Sequence, residues 1–223
     1  IYDLHKKVDT RKCDYDIIKK LRYTSSSIFF DLHPKKSIVV TNMDGLEWKR
    51  TKYSAKVQKF LKWAESLAVK KSDYMISVST GIQNYIKNKY KKDTTYIPYG
   101  SYVVENYEES ICLDYNVQPY QYDMLIARLE PENSIEIILD GVAKSKLKRN
   151  FVVIDKHDTK YGEYLKNKFI NNRNIIFVGG VYNQTTLDNL RYFSNVYFHG
   201  HTVGGTNPSL LEAMGSYSLI CAN

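Results

Sequence analysis

Long apolar runs, clustered cysteines and a secretion signal are all absent from this sequence. No stretch of about 18 apolar residues occurs, so no membrane-spanning helix is predicted. The three cysteines, Cys13, Cys112 and Cys221, lie far apart and match no zinc-ligand spacing. Any pairing would leave one thiol over, which makes a reducing cytoplasm the simplest location. The chain does not begin with Met and ends directly after a strand-like apolar run, so we expect a piece of a longer protein.

Positive charge exceeds negative charge in the 223 residues, with 32 Lys and Arg against 24 Asp and Glu. This balance favours anionic partners such as acidic lipid or phosphorylated small molecules. Nucleic-acid binding is not expected, because the basic residues are spread out and no nucleic-acid-binding fold signature appears. One helical segment and its approach are crowded with basic residues: Lys49, Arg50, Lys52, Lys56, Lys59 and Lys62. Contact with anionic lipid and an ordinary solvated helix face both remain open for this segment.

Strand-like apolar segments alternate with amphipathic helical segments, which predicts an α/β fold with parallel sheets. In the first half we predict strands at 37–41, 74–78 and 94–97, and helices at 52–70 and 81–90. In the second half we predict strands at 123–127, 151–154, 174–178, 195–198 and 218–221, and helices at 134–143, 161–169, 185–193 and 208–214. The polar, acidic stretch 101–121 breaks this rhythm and is interpreted as a linker. Two domains are therefore expected, at 1–105 and 106–223.

One helix in each half has a clear apolar face in this pattern. In the helix at 52–70, the predicted inward face consists of Val57, Phe60, Leu61, Ala64, Leu67 and Ala68. In the helix at 134–143, Ile135, Ile138 and Leu139 are expected to point inward.

A glycine-containing loop follows the strand at 195–198 and leads into the helix at 208–214. Gly204 and Gly205 allow a ligand to approach the backbone closely, and Thr206 or Asn207 can cap the helix. Its exposed N–H groups and the helix dipole predict an anion site suited to a diphosphate. Glu212, about one turn inside the helix, can accept hydrogen bonds from a ribose diol. A tight turn before an ordinary helix has the same pattern, so that interpretation also remains open.

The segment from Gly204 to Met214 resembles the donor-site loop of the retaining GT-B glycosyltransferases of family 4. It is most similar to a bacterial branch associated with rhamnosyl transfer and surface polysaccharides. Glu212 matches the second Glu of the family's Glu–seven residues–Glu motif, whereas Gly204 stands in place of the first. The segment 127–133 resembles the strand-end segment whose Arg binds the donor phosphates. Arg128 matches that Arg, and Asn133 stands where the family has a Lys.

The first half carries a further resemblance, in the segment 41–50, to the strand-end loop that faces the family's cleft. Asp44 and Glu47 are therefore expected to bind acceptor hydroxyls, although an Asp-Gly turn that caps the following helix explains either residue as well. His199 and His201 straddle a glycine but have no further metal ligand at a suitable spacing. His199 follows its strand directly, so we expect it to contact donor or acceptor.

The resemblance implies two Rossmann-like domains whose parallel sheets face a cleft, the first domain being incomplete. It also implies transfer of a sugar from a nucleotide-diphosphate sugar to a glycan or lipid-linked acceptor, with retained configuration and with neither metal nor cofactor. The expected location is the cytoplasm, or its side of the membrane if the basic helical segment contacts anionic lipid. The catalytic candidates are Arg128, His199 and Asp44. The donor-binding candidates are Arg128, Gly204, Gly205, Thr206, Asn207 and Glu212.

Two alternatives share this expected fold. The first is a sugar-nucleotide epimerase or hydrolase, which would release sugar without an acceptor. The second is a non-catalytic module that binds nucleotide sugars. The departures from the family pattern at Gly204, at Asn133 and at Met43, near which many relatives have a His, keep the second alternative open.

Overall fold

The structure, a computed structural model, describes residues 10, 12–13, 15–147, 149–202 and 205–223. It divides into two units, Ile1–Tyr99 with Val203–Thr206, and Gly100–Thr202 with Asn207–Asn223. The boundary expected after residue 105 lies a few residues beyond this division. The grouping of Gly205 and Thr206 with the first unit was not expected from the sequence.

The first unit contains a parallel sheet of four strands in the order β1-β2-β3-β4. The strands are β1 (Ile17–Lys20), β2 (Ile38–Met43), β3 (Tyr74–Ser77) and β4 (Thr95–Tyr96). The helices are α1 (Ala55–Lys71) and α2 (Thr80–Tyr90), with 3-10 turns at Ser25–Ser27, Phe30–Leu32 and Glu47–Lys49. Strand β1 was not predicted, because its four residues are half lysine and its one buried side chain is Lys20.

Helix α1 has a different buried face from the one predicted. Leu61, Ala64 and Ala68 are buried as expected, but Val57 and Phe60 are exposed by 39% and 36%. The buried face is rotated toward Glu65, which is buried completely and accepts hydrogen bonds from three side chains of α2. A count of apolar residues misses this rotation because it assigns a glutamate to the solvent side. None of the helices in the described part of the chain is long and apolar enough to cross a membrane.

The second unit contains a parallel sheet of five strands in the order β7-β6-β5-β8-β9. The strands are β5 (Tyr122–Ile126), β6 (Asn150–Ile154), β7 (Ile175–Gly179), β8 (Val196–His199) and β9 (Ile220–Ala222). The helices are α3 (Ser110–Asp114), α4 (Ile135–Lys144), α5 (Lys160–Lys168), α6 (Gln184–Tyr192) and α7 (Pro208–Gly215). The predicted α/β class with parallel sheets is thus confirmed in both units.

The stretch 101–121 is more than the linker that its polarity indicated. It contains α3, and both Cys112 and Val117 are buried in one core cluster with Tyr122 and Leu190. Tyr107 and Tyr115 also pack against that cluster, partly buried. The four side chains do not recur at a helical spacing, so the sequence shows no clear helical period there.

Candidate functional site

The strand order of the second sheet reverses between β5 and β8. From β5 the chain adds β6 and β7 on one side, and then β8 and β9 on the other. Ligands of open parallel sheets bind beyond the carboxyl ends of the strands at such a reversal. Because β5 and β8 are parallel neighbours, with Leu125 opposite Phe198, the residues that follow them meet at one edge. Arg128, two residues after β5, and His199, the last residue of β8, therefore lie at the same edge of the sheet.

The loop after β5 presents Arg128 to solvent. The Arg128 side chain is exposed, and within the described ranges its guanidinium has no ion pair or hydrogen bond. The backbone of the loop is held firmly: the carbonyl oxygen of Arg128 accepts a 2.7 Å hydrogen bond from the side-chain amide of Asn133. The Leu129 N–H donates to Asp155 at 3.2 Å. Asn133 is 5% exposed, so the residue at the position of the family's lysine stabilises the loop instead of offering a cation.

The loop after β8 packs closely against the loop after β5. Both the N–H and the hydroxyl of Thr202 donate to the carbonyl oxygen of Glu132, at 3.2 and 2.8 Å. A Cβ atom at Gly200 would lie 2.5 Å from the carbonyl oxygen of Asn133. This close approach requires glycine at position 200, for a reason that the sequence alone did not indicate.

His199 lies at the end of β8 and is 7% exposed. Burial lowers the pKa of its imidazole below the usual 6.5, because the charged form loses its hydration. Its Nδ1 atom has no hydrogen-bond partner among the residues that the structure describes. The ring stacks on that of His201 with centroids 4.3 Å apart. The buried site therefore favours the neutral imidazole, and no described residue bonds to the Nδ1 atom of His199.

His199 and His201 were considered as a pair of metal ligands, which would need at least one more ligand nearby. In the described ranges, no group of three or more His, Cys, Asp or Glu side chains is placed to hold a metal ion. Metal independence of the reaction stays a prediction.

Helix α7 begins as the sequence indicates, with Pro208 in its first turn. Its cap is Asn207, whose side-chain oxygen accepts a 2.9 Å hydrogen bond from the Ser209 N–H. Thr206, the alternative cap, is engaged within the first unit, where its hydroxyl donates to the carbonyl oxygen of Val78 at 3.0 Å. The structure therefore selects Asn207.

Of the two glycines of the predicted phosphate loop, the structure describes only Gly205. Gly204 lies outside the described residues. At Gly205, within the first unit, a Cβ atom would lie 2.6 Å from the carbonyl oxygen of Asp44. Contact with protein therefore accounts for glycine at 205, where we had expected contact with a ligand. The donor-binding role of Gly205 and Thr206 stays a prediction.

Glu212, the predicted ribose ligand, forms an ion pair with Arg191. The Arg191 side chain is 1% exposed and also pairs with Asp188 at 3.0 Å, whereas the Glu212 side chain stays 31% exposed. Because Arg191 neutralises Glu212, the carboxylate repels a nearby anion less than an isolated one would. Its exposed part remains able to accept hydrogen bonds from a ligand.

A hydrogen-bonded chain ties this ion pair to the central strands. Arg191 donates to the Ser209 hydroxyl at 3.3 Å, and that hydroxyl lies 2.8 Å from the Tyr197 hydroxyl on β8. Burial raises the pKa of Tyr197, so its phenol stays neutral. The sequence analysis missed Arg191. The available signal was its spacing from Leu187 and Leu190, which puts an arginine on the inward face of α6.

The two acceptor-side candidates of the first unit differ in exposure. Asp44 follows β2, accepts a 2.8 Å hydrogen bond from the Tyr99 hydroxyl and lies 3.4 Å from the Arg22 guanidinium. The Asp44 side chain is 29% exposed and lines a shallow depression with Arg22, Tyr23, Gly45 and Glu47. Burial is the main reason why the pKa of Tyr99 is raised, and the carboxylate of Asp44 adds to it.

Glu47 is buried, with a side chain that is 8% exposed and 3.2 Å from the Arg50 guanidinium. Its backbone N–H donates to the Tyr23 hydroxyl at 2.8 Å. These surroundings are those of a structural ion pair. Asp44 is therefore the better placed of the two to meet an acceptor, and the acceptor-binding role of each stays a prediction.

Comparisons with known proteins bear on the fold as a whole. The family model described as "Domain of unknown function (DUF1972)" matches residues 29–102. No curated protein matches the chain. Among solved structures, sucrose-phosphate synthase from Thermosynechococcus elongatus is similar over 99% of this chain and 59% of its own, with a TM-score of 0.81 at 15% identity.

Two further structures are similar. Anabaena HepE, solved in complex with UDP and glucose, matches 99% of this chain and 62% of its own, with a TM-score of 0.78 at 15% identity. The pneumococcal O-GlcNAc transferase GtfA, solved with UDP and GlcNAc, matches 99% of this chain and 45% of its own, with a TM-score of 0.70 at 14% identity. The chain thus spans about three fifths of the length of the first structures that it matches. These likenesses, together with the two parallel sheets, show that the chain has the GT-B fold.

Proposed function

We propose that this chain transfers a glycosyl group from a nucleotide-diphosphate sugar to an acceptor hydroxyl, with the donor bound at the carboxyl edge of the second sheet. The observation that carries the proposal is the exposed Arg128 guanidinium, which has no partner in the described part of the chain and follows β5. It lies on the loop beside the one that leads from β8 into the Asn207-capped helix α7.

The diphosphate and the ribose of the donor each have a candidate partner in the second unit. The Arg128 guanidinium suits bidentate contact with phosphate oxygens. The N-terminal amides and dipole of α7 attract the same negative charge. Glu212 offers its exposed carboxylate to a ribose diol, while Arg191 limits repulsion between Glu212 and the diphosphate. In the reaction, Arg128 and the amides would stabilise the leaving diphosphate.

The finer features of the proposal rest on the sequence resemblance. They are a rhamnosyl donor, retention of configuration without a metal, and an acceptor that is a glycan or a lipid-linked glycan of bacterial surface polysaccharide. HepE and GtfA were solved with UDP and a sugar, which supports a nucleotide sugar as the donor class. His199 and Asp44 are the proposed contacts to the reacting sugar and to the acceptor.

Calorimetric titration with a panel of nucleoside diphosphates, including UDP and dTDP, tests the donor site. We expect at least one of them to bind. The substitution Arg128→Ala should then weaken binding by about 2 kcal/mol, or roughly thirtyfold, because a charge-assisted contact is lost. Arg173→Ala is the matched control, since Arg173 is exposed and precedes β7, at the opposite edge of the sheet.

Absence of binding by every nucleotide would refute the donor site. Equal effects of the two arginine substitutions would refute the role of Arg128. Product analysis with the bound sugar nucleotide and an acceptor extract then separates the activities: a glycosylated product supports transfer, free sugar indicates a hydrolase or epimerase, and no turnover indicates a binding module. The anomeric configuration of the product and activity in EDTA test retention and metal independence.

A further inference from the structure

The outer face of helix α1 exposes large apolar side chains. Phe60 and Trp63 are 36% and 49% exposed, and their ring centroids lie 6.0 Å apart. Val57, one turn before, is 39% exposed. The core of the first unit contacts a different face of the helix, through Leu61, Ala64 and Ala68. The two aromatic rings therefore form a pair that the core of the first unit does not use.

Lysines surround this pair on the same face. At 3.6 residues per turn, Lys56, Lys59 and Lys70 fall with Phe60 and Trp63 within an arc of about 100°. All three lysines are exposed, and the described residues provide no carboxylate partner for them. We call these five residues the outer face of α1.

Negative charge is missing from the outer face of α1. The only acidic residue of the helix is Glu65, which lies on its opposite side, is 0% exposed and is 2.8 Å from Lys89. The face therefore combines uncompensated positive charge with exposed aromatic rings. An ordinary solvated helix face carries the first of these features without the second.

The chemistry of this face selects its partner. We propose that the outer face of α1 docks the chain onto an anionic lipid surface, with Phe60 and Trp63 in the membrane interface and Lys56, Lys59 and Lys70 at lipid phosphates. Aromatic rings favour the boundary between headgroups and acyl chains, and lysine stems extend past apolar surface toward phosphate. A second copy of the chain would bring equal positive charge to the face, so self-association through it is disfavoured.

Tryptophan fluorescence tests the proposal directly. The chain has two tryptophans, Trp48 and Trp63, so Trp48→Phe leaves Trp63 as the sole reporter. Added vesicles of equal parts phosphatidylglycerol and phosphatidylcholine should shift its emission to the blue, and brominated acyl chains should quench it. Pure phosphatidylcholine vesicles should neither shift nor quench the Trp63 emission. High salt should reverse the blue shift seen with anionic vesicles, because it screens the lysines. Co-sedimentation of the unsubstituted chain with the same vesicles gives an independent readout if Trp48→Phe fails to fold.

Substitutions separate the two components of binding. Phe60→Ala with Trp63→Ala should lower vesicle partitioning at least about tenfold, because two rings no longer enter the interface. Lys56→Gln and Lys59→Gln should each lower it about fivefold, the factor expected for one lysine near an anionic surface. The matched controls are Tyr102→Ala, an aromatic side chain that is 93% exposed, and Lys166→Gln, an exposed lysine of the second unit.

Three results would overturn the proposal. They are unchanged Trp63 emission with anionic vesicles, equal binding to neutral and anionic vesicles, and control variants that bind as weakly as the outer-face variants. A dimer that depends on Trp63 in sedimentation, without vesicle binding, would assign the face to self-association instead. None of these measurements requires a nucleotide sugar. The test of membrane docking therefore stays valid even if the proposed glycosyl transfer is refuted.

Discussion

Replacement of the buried Arg191 by methionine should destabilise the second unit strongly. Methionine fills similar space but removes the ion pairs to Asp188 and Glu212 and the hydrogen bond to Ser209. Removing one partner of a fully buried ion pair costs about 3–5 kcal/mol. The two remaining carboxylates are 15% and 31% exposed, so water can hydrate them in part. We therefore expect the lower end of that range, about 3 kcal/mol of unfolding free energy.

One feature of Arg191 reduces the expected loss. Its Nε atom is buried and has no hydrogen-bond partner among the residues that the structure describes. Methionine removes that unsatisfied donor, which offsets a part of the lost ion pairing. The estimate of about 3 kcal/mol therefore depends on the two carboxylates that remain.

Equilibrium unfolding in urea, followed by far-ultraviolet circular dichroism, measures this effect. The matched control is Arg149→Met in the same unit, which breaks the 3.1 Å ion pair between Arg149, just before β6, and Asp123 on β5. These side chains are 30% and 19% exposed, so solvent competes for the pair and the loss should stay below about 1 kcal/mol. The reasoning would be refuted if the two variants lost the same stability, or if Arg191→Met lost less than about 1 kcal/mol.

The remaining predictions concern the helix cap, the loop packing and the buried histidine. Asn207→Ala should cost about 1 kcal/mol of unfolding free energy, as should Asn183→Ala at the cap of α6, but only the first should weaken nucleotide binding in calorimetry. Equal binding losses would contradict the role of α7. Gly200→Ala should destabilise the fold by about 1–3 kcal/mol in urea unfolding, because its Cβ would lie 2.5 Å from a carbonyl oxygen. Gly141→Ala should leave stability unchanged or raise it, because nothing lies within 4 Å of a Cβ atom at that position of helix α4. A larger loss of stability for Gly141→Ala than for Gly200→Ala would show that the loops after β5 and β8 can separate to accommodate the added methyl group. Burial lowers the pKa of His199 below 6.5, so just below pH 6.5 the folded chain binds fewer protons than the unfolded chain. The free energy of unfolding should therefore fall as the pH falls below 6.5. His199→Gln should make the urea unfolding midpoint depend less on pH. An unchanged dependence of the midpoint on pH would show that the folded state accommodates the charged ring of His199.

Local regularities made much of the second unit predictable. Among its described residues, the five strands and four of the five α-helices lie within a few residues of the expected positions, because buried parallel strands and amphipathic helices each leave a period in the sequence. The start of α7 was predictable for a similar reason: Asn207 and Pro208 favour a helix N-terminus through their own chemistry. Strand β1 and helix α3 left no such period, because few of their side chains reach a core.

The sequence by itself therefore determined the α/β class, the approximate elements and the loops that carry Arg128, His199 and Asn207. The tertiary structure alone decided what those loops contact. It turned Asn133 inward to the carbonyl of Arg128, and it paired Glu212 with Arg191. It also left Phe60 and Trp63 on the outer face of α1. The physical reason is that these outcomes depend on partners distant in the chain or on the rotation of a helix about its axis, neither of which a local pattern specifies.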